Sequence, residues 1–469
     1  MDRLIFNAAL ILGAYLPFES MVMRYLPGAE SLQSILFVAV EASIYLLFVL
    51  LLTTRLGDGR PFRRTLVDLP LLLFVTIAFV SLVKNGSDPT PAVTNLRTLL
   101  RYVVLFYILA NLRYRPEQIR IIFRLIIILG LIQAVIAIVQ FLGGEGIKQF
   151  FYLRLMDTEI AGKTLLTRDP TTDRIGAGIG TLGQPGILAM FLLVSLSVAA
   201  SDFFMERSRP LRETLFLVVA IALLLLGILT TYKRAAIMLG AFIPILALLL
   251  SGDRRRIVPG MILLMIGGAL MVAVDSAMES GNIVSGREAR EHQVAVFELM
   301  RHLMSEEYWA RSATASRLWF FREAAVSVFG SFNLLGFGPD PGHAIQLFVA
   351  DRSGLSQLLT YNSYRDVYWM ALLVYFGILG FSIWMFLLWR LGRDANRIRR
   401  SQLPVTPIVR KLAVTVLILI VVTFIYTFIE RTLVIRAYAF YFWFLVGLLS
   451  ASGYGWNKDI AKPPIKHHE

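Results

Sequence analysis

The sequence predicts an all-α, polytopic membrane protein with about twelve transmembrane helices and one long helical loop outside the membrane. Three observations carry this prediction. The 469 residues are 57% hydrophobic and only 17% charged, with a mean hydropathy of +0.67. Soluble domains rarely reach that balance, because they need polar residues to face water. Apolar runs of about 18 residues or more recur along the chain, the length at which a helix crosses a bilayer. Short arginine-rich connections separate these runs, and short alternating segments of β-barrel type are not found.

The first run, 5–23, begins almost at Met1 and contains Pro17 and Glu19. No small-residue cleavage site follows it, so it reads as a first transmembrane helix and not as a signal peptide. Eight further runs fall at 32–53, 67–83, 95–112, 120–143, 184–201, 214–231, 235–251 and 257–275. Thr231-Tyr232-Lys233-Arg234 is all that divides the seventh run from the eighth. Three more runs lie at 367–389, 411–429 and 435–451. Residues 1–275 are thus expected to hold nine helices and a loop near 144–183. Residues 276–366 form a long loop, 367–451 hold three helices, and 452–469 form a tail.

The arginines orient this arrangement. Arg60 to Arg64, Arg113 to Arg115, Arg207 to Arg209, Arg254 to Arg256 and Arg397 to Arg400 all fall on one side of the alternating count. That side reads as cytoplasmic and holds both termini. The net charge of +14 is therefore read as topology and contact with anionic lipid headgroups, not as nucleic-acid binding. Cysteine is absent, which excludes disulfides and thiolate metal sites. The far side carries two sizeable loops. The first holds Arg168 to Arg174 and the turn-rich Gly180 to Gly186, approaching the sixth run. The second, Asp275 to Asp366, is too long for a simple connection, and Arg317–Phe329 within it has helical spacing with Gly330 as a stop.

Candidate chemistry concentrates on that far side. Lys233 and Arg234 sit between two apolar runs with almost no loop, so their charges are held at the membrane surface, where a phosphate or diphosphate is a natural partner. A snorkelling pair that anchors the helix ends is the equal alternative. Arg317 and Arg322 lie on the expected loop helix, and Arg97 and Arg101 are four apart at the start of the fourth run, sharing one face. Glu19 and Glu41 are intramembrane carboxylates, with a hydrogen-bonded helix contact the plainer reading for Glu41. Asp340, Asp351 and Asp366 are loop carboxylates able to act as a general base. His343 follows Gly338-Pro339-Asp340-Pro341-Gly342 and reads as a base or as a packing residue. No spacing of histidines and carboxylates suggests a metal, and Gly336–Gly338 lacks the lysine of a nucleotide loop.

These residues resemble the O-antigen ligase and O-antigen polymerase superfamily of bacterial envelope glycosyltransferases. Thr231-Tyr232-Lys233-Arg234-Ala235-Ala236 is similar to that family's Ser-Arg-Gly/Ala signature at the start of a helix. Arg317 through Pro339, with Arg322-Glu323-Ala324-Ala325 and Asn333-Leu334-Leu335-Gly336, resembles its arginine helix and Gly-x-Gly run. Tyr375 to Gly380 resembles its closing Glu-x-Gly-x-x-Gly, where a helix begins, and Gly180–Ala189 its approach to a span. One feature departs from the family. The histidine usually found before the closing glycines is replaced by Asp366 in one alignment, or by Tyr361 before Asn362 in another.

The resemblance implies the fold of C-type glycosyltransferases in a bacterial inner membrane, active on the periplasmic face. It implies a polymerase of O-antigen or exopolysaccharide units. The donor would be a glycan on undecaprenyl diphosphate and the acceptor a sugar hydroxyl, with no metal or other cofactor. Arg234, Lys233 and Arg317 would neutralise the departing diphosphate, and Asp366 or His343 would take the acceptor proton. Arg322, Arg97, Arg101, Tyr361 and Asn362 are the further substrate-binding candidates. Membrane lipids and a chain-length regulator are the expected partners. A ligase using lipid A–core as acceptor is the nearest alternative. A transporter or flippase is a different class, disfavoured by the lack of internal repeats.

Overall fold

The computed structural model describes residues 1–25, 29–151, 159–160, 163–164, 177–206, 209–252, 317–350, 367–401 and 405–459. The expected run 257–275, most of the long loop, and the candidates Asp366, Tyr361 and Asn362 lie outside the described residues. So do Arg168 to Arg174 and Arg254 to Arg256.

The chain is helical. In order, the helices are α1 (Asp2–Tyr15), α2 (Glu19–Tyr25), α3 (Ala29–Gly57), α4 (Asp68–Lys84), α5 (Pro89–Leu100), α6 (Val103–Ala110), α7 (Pro116–Phe151), α8 (Pro185–Met205), α9 (Leu211–Thr230) and α10 (Arg234–Ser251). They continue with α11 (Arg317–Gly330), α12 (Pro341–Ala350), α13 (Tyr368–Arg400), α14 (Pro407–Tyr426) and α15 (Arg436–Asp459). A two-residue ladder pairs Glu159–Ile160 with Lys163–Thr164. Among the described residues eight helices are long and apolar enough to cross a membrane, or nine if α5 and α6, bent by 41° at Arg101–Tyr102, make one span. The protein is therefore a multi-pass membrane protein. Of the other expected runs, 67–83 corresponds to the 17-residue α4 and 435–451 to α15.

Local chemistry sets the helix ends. Asp88 caps α5 by accepting from the Thr90 N–H, with Pro89 at the first helical position. Gly252 closes α10 in the left-handed conformation at φ +68°. The first expected span, 5–23, corresponds to one span at Asp2–Val22 that tightens without breaking. A 3-10 turn at Leu16–Phe18, containing Pro17, separates α1 from Glu19 at the start of α2.

The helices form two compact units. In the first (1–54, 114–302 and 406–418), α7, α8, α9 and α10 pack together, and α8 is buried around nearly its whole circumference. Small residues allow close approach. A Cβ on Gly130 of α7 would lie 2.5 Å from Ser195 Oγ on α8, and one on Gly227 of α9 would lie 2.7 Å from Ala134 Cβ on α7. Close backbone approach of this kind is how helices gain van der Waals packing where lipid supplies no hydrophobic drive. In the second unit (55–113, 303–405 and 419–469), α13 packs on α4 and α11, and α15 packs on α6. There Gly447 faces α6, with Leu109 Cβ 2.9 Å from where its own Cβ would lie.

Candidate functional site

In the first unit, Lys233 and Arg234 follow a tight reversal between α9 and α10. Three residues, Thr231, Tyr232 and Lys233, make the turn. The Thr231 hydroxyl donates to the Ile228 carbonyl at 2.7 Å and accepts the Lys233 N–H at 3.3 Å. Tyr232 lies at φ +52°, a left-handed conformation that costs a non-glycine residue about 1–3 kcal/mol. Its ring is buried against Phe141, centroids 5.9 Å apart, and beside Ala177. Burial of that ring offsets the strain and fixes the direction in which Lys233 and Arg234 leave the turn. Both cations are half-buried.

A second strand of the same site is the segment Ala177–Gly183, which precedes α8. The Gly178 N–H donates to the Thr230 carbonyl at 2.8 Å, tying this segment to the end of α9. Gln140 of α7 accepts from the Ile179 and Gly180 N–H groups at 2.9 and 2.8 Å, and its amide donates to the Gly180 carbonyl at 2.9 Å. Gln133, seven residues earlier on α7, accepts from the Thr181 N–H at 2.9 Å and donates to Thr181 Oγ1 at 2.7 Å. The Thr181 hydroxyl donates in turn to the Pro17 carbonyl at 2.6 Å, in the 3-10 turn between α1 and α2. Irregular backbone at this depth is tolerated because these side chains satisfy it. Gly180 (φ +58°) has no room for a side chain, since a Cβ would lie 2.5 Å from Gln133 Oε1. Glu19, the first residue after that turn, is buried. The signal for Gln133 and Gln140 was present in the sequence as two uncharged polar residues on one face of an apolar run, and the sequence reading did not single them out.

In the second unit, two motifs noted separately in the sequence meet. α13 is two helical segments joined at a break at Gly377 (φ 64°, ψ −164°), so Tyr375–Gly380 marks the start of the second segment, with a first helical segment from Tyr368 before it. The break frees backbone groups, and the segment Asn333–Gly338 satisfies them. Phe337 and Gly338 N–H donate to the Val374 and Tyr375 carbonyls at 2.8 and 3.1 Å. Ile378 and Leu379 N–H donate to the Asn333 and Leu334 carbonyls, each at 3.1 Å. Ser81 of α4 donates to the Leu335 carbonyl at 2.6 Å, and the Asn85 amide to the Gly336 carbonyl at 3.3 Å. The next residues bind α5, where Asn95 donates to the Pro339 carbonyl at 2.9 Å.

The remaining candidates separate by environment. His343 Nε2 lies 3.0 Å from the Asn85 carbonyl. A carbonyl only accepts, so Nε2 carries a proton here, and in a neutral ring the lone pair is then on Nδ1. Asp340 caps α12 by accepting from the Gly342 N–H at 2.9 Å. Arg101, at the α5–α6 bend, donates to the Val434 carbonyl at 2.6 Å and lies over the Tyr102 ring, whereas Arg97 is exposed. Arg322 lies on the exposed face of α11, opposite Phe320, Ala324, Ser327 and Val328. Arg317 begins α11, and its side chain lies outside the described residues. Glu41, on α3, accepts from the Tyr45 hydroxyl at 2.9 Å. Among the described residues no cluster of three or more histidines and carboxylates is arranged to hold a metal. No protein-family model matches the sequence, and no curated protein matches it.

Proposed function

We propose that this protein is a membrane glycosyltransferase of the O-antigen ligase and polymerase superfamily, with about twelve spans in the C-type arrangement. It would elongate an envelope polysaccharide at the periplasmic face of a bacterial inner membrane, using a glycan carried on undecaprenyl diphosphate. The observation that carries the proposal is the Lys233–Arg234 turn. A helix N-terminus is the positive end of its dipole, so two adjacent cations there oppose the usual preference for acidic residues in the first turn. Such a concentration of positive potential at a membrane edge suits a ligand bearing a diphosphate, which arginine binds through a planar fork and lysine as a point charge.

In the proposed reaction an acceptor sugar hydroxyl attacks the anomeric carbon of the donor. The new glycosidic bond forms as the bond from that carbon to the diphosphate oxygen breaks, and the lipid diphosphate leaves with the bonding pair. Negative charge grows on the departing oxygens, where Lys233 and Arg234 stabilise the transition state more than the ground state. The proton of the hydroxyl passes to a base, assigned on chemical grounds to Asp366 or His343. For His343 to serve, Nδ1 must accept, which matches a neutral ring protonated at the Nε2 that faces the Asn85 carbonyl.

The test is glycan elongation in cells carrying Arg234→Ala or Arg317→Ala. Both variants are expected to insert at normal levels and to produce no long chains; long chains from both would defeat the proposal. In a deletion strain, single repeat units held on lipid support a polymerase, whereas full-length lipid-linked chains indicate a ligase.

A further inference from the structure

The 33 residues of α13 comprise two helical segments joined at Gly377, and the second carries apolar sequence from Ile378 as far as Trp389. From Arg390 the helix turns strongly cationic, which puts the edge of the hydrocarbon core near Trp389. One exposed face crosses this boundary. Phe386 and Trp389 are 43% and 54% exposed and stack on each other, centroids 5.6 Å apart and planes 24° from parallel. The guanidinium of Arg390 lies 5.6 Å from the Phe386 ring centroid, and that of Arg393 lies 5.3 Å from the Trp389 centroid. Arg397 and Arg400 continue the same exposed face, while Leu387, Leu388, Leu391, Ala395 and Ile398 are buried on the opposite one.

We propose that Phe386, Trp389, Arg390 and Arg393 form a binding site for the headgroup of an anionic phospholipid from the surrounding bilayer. Each ring holds a guanidinium over its π face, and a phosphodiester is bound through the N–H fork of that guanidinium. Guanidinium groups held against rings lose less conformational entropy on binding than mobile side chains lose. The rings lie at the depth where amphipathic aromatics meet headgroups, so the acyl chains of the same lipid can run along the apolar face of the helix. Asp394 is within electrostatic reach of Arg397 and Arg390 and offsets one positive charge. Five arginines on residues 390–400 leave that stretch strongly cationic. The bilayer is the source of this ligand, because the site begins at the hydrocarbon edge. It is independent of the proposed transfer reaction.

The test uses the full-length protein in phosphatidylcholine vesicles containing a trace of spin-labelled phosphatidylglycerol or spin-labelled phosphatidylcholine. The motionally restricted fraction of each label gives the preference for the anionic headgroup. Arg390→Gln/Arg393→Gln is expected to lower that preference about fivefold or more. Arg390→Lys/Arg393→Lys keeps the charge but loses the planar fork, and most of the preference should be lost with it. Arg399→Gln, at a residue bonded to Asn396 and off this face, should leave the preference unchanged. A double glutamine variant that keeps the wild-type preference would overturn the proposal. So would a double lysine variant that keeps it in full, because diffuse charge would then be sufficient.

Discussion

Gly336 and Gly377 meet backbone to backbone: a Cβ on Gly336 would lie 2.5 Å from the Gly377 nitrogen. Both residues have positive φ, and neighbouring hydrogen bonds run in both directions between Asn333–Gly338 and the broken helix α13. The contact lets a helix break inside the protein without stranding its freed N–H and C=O groups.

Alanine at either glycine is therefore expected to destabilise the protein by roughly 3 kcal/mol, combining a left-handed conformation with a clash against backbone that cannot yield. Ser81→Ala should cost about 1 kcal/mol, since two carbonyls lose one shared donor. Thermal unfolding in detergent measures both effects. A Gly377→Ala variant as stable as wild type would show that the interlock does not hold the helix break.

Gln140→Leu removes three hydrogen bonds to buried backbone at Ile179 and Gly180. The expected loss is about 3 kcal/mol or more, because buried unsatisfied groups carry the full desolvation penalty. Amide hydrogen exchange should rise at residues 177–183 and at Lys233, through the link from Gly178 to Thr230. Exchange that rises nowhere beyond Gln140 itself would contradict this.

At the other end of α8, Lys411 and Arg209 both bind Asp202 and Glu206. Arg209 lies 2.8 Å from Asp202 and 2.9 Å from Glu206, and Lys411 lies 2.5 Å from Asp202 and also contacts Glu206. Burial, the largest influence on Glu206, favours its neutral form. Lys411 and then Arg209 outweigh it, holding the carboxyl below its ordinary value of 4.5. A depressed carboxylate contributes stability that is complete above that value and is lost as pH falls through the folded one. Wild type should thus lose its advantage over Glu206→Gln as pH drops below 4.5. Melting curves recorded against pH check this, and a gap that does not change with pH speaks against it.

Much of the fold was legible because the bilayer constrains composition so strongly. The runs 120–143, 184–201 and 214–231 correspond closely to parts of α7, α8 and α9, since a spanning helix must hide its backbone polarity within about 20 apolar residues. Bends were not legible. Arg97 and Arg101 are four apart and were expected to share a face, yet Arg101 ends α5 at a bend and binds the Val434 carbonyl while Arg97 stays exposed. The Leu335–Pro339 and Tyr375–Gly380 motifs were visible separately. Their interlock was not, because hydrogen bonds between distant backbone segments leave no periodic trace. Lys233 and Arg234 stood out because charge between two apolar runs is rare. The left-handed Tyr232 that aims them is an ordinary aromatic in the sequence, and only packing against Phe141 makes its strain tolerable.

Tyr232→Gly separates the two effects at the turn. It relieves about 1–3 kcal/mol of strain and gives up about 3–5 kcal/mol of aromatic burial, so a modest net loss of stability is expected. Under the proposed function, elongation should fall further than stability does, because Lys233 and Arg234 lose their fixed direction. Elongation retained in proportion to folded protein would deny the turn an aiming role.

The most direct test of the central claim is the rate at which purified protein elongates a glycan supplied on undecaprenyl diphosphate, comparing wild type with Arg234→Ala. If the turn at Lys233–Arg234 stabilises the leaving diphosphate, the variant should remain folded and inserted while its turnover falls about 100-fold or more. An inserted Arg234→Ala protein that turns over at the wild-type rate would contradict the account.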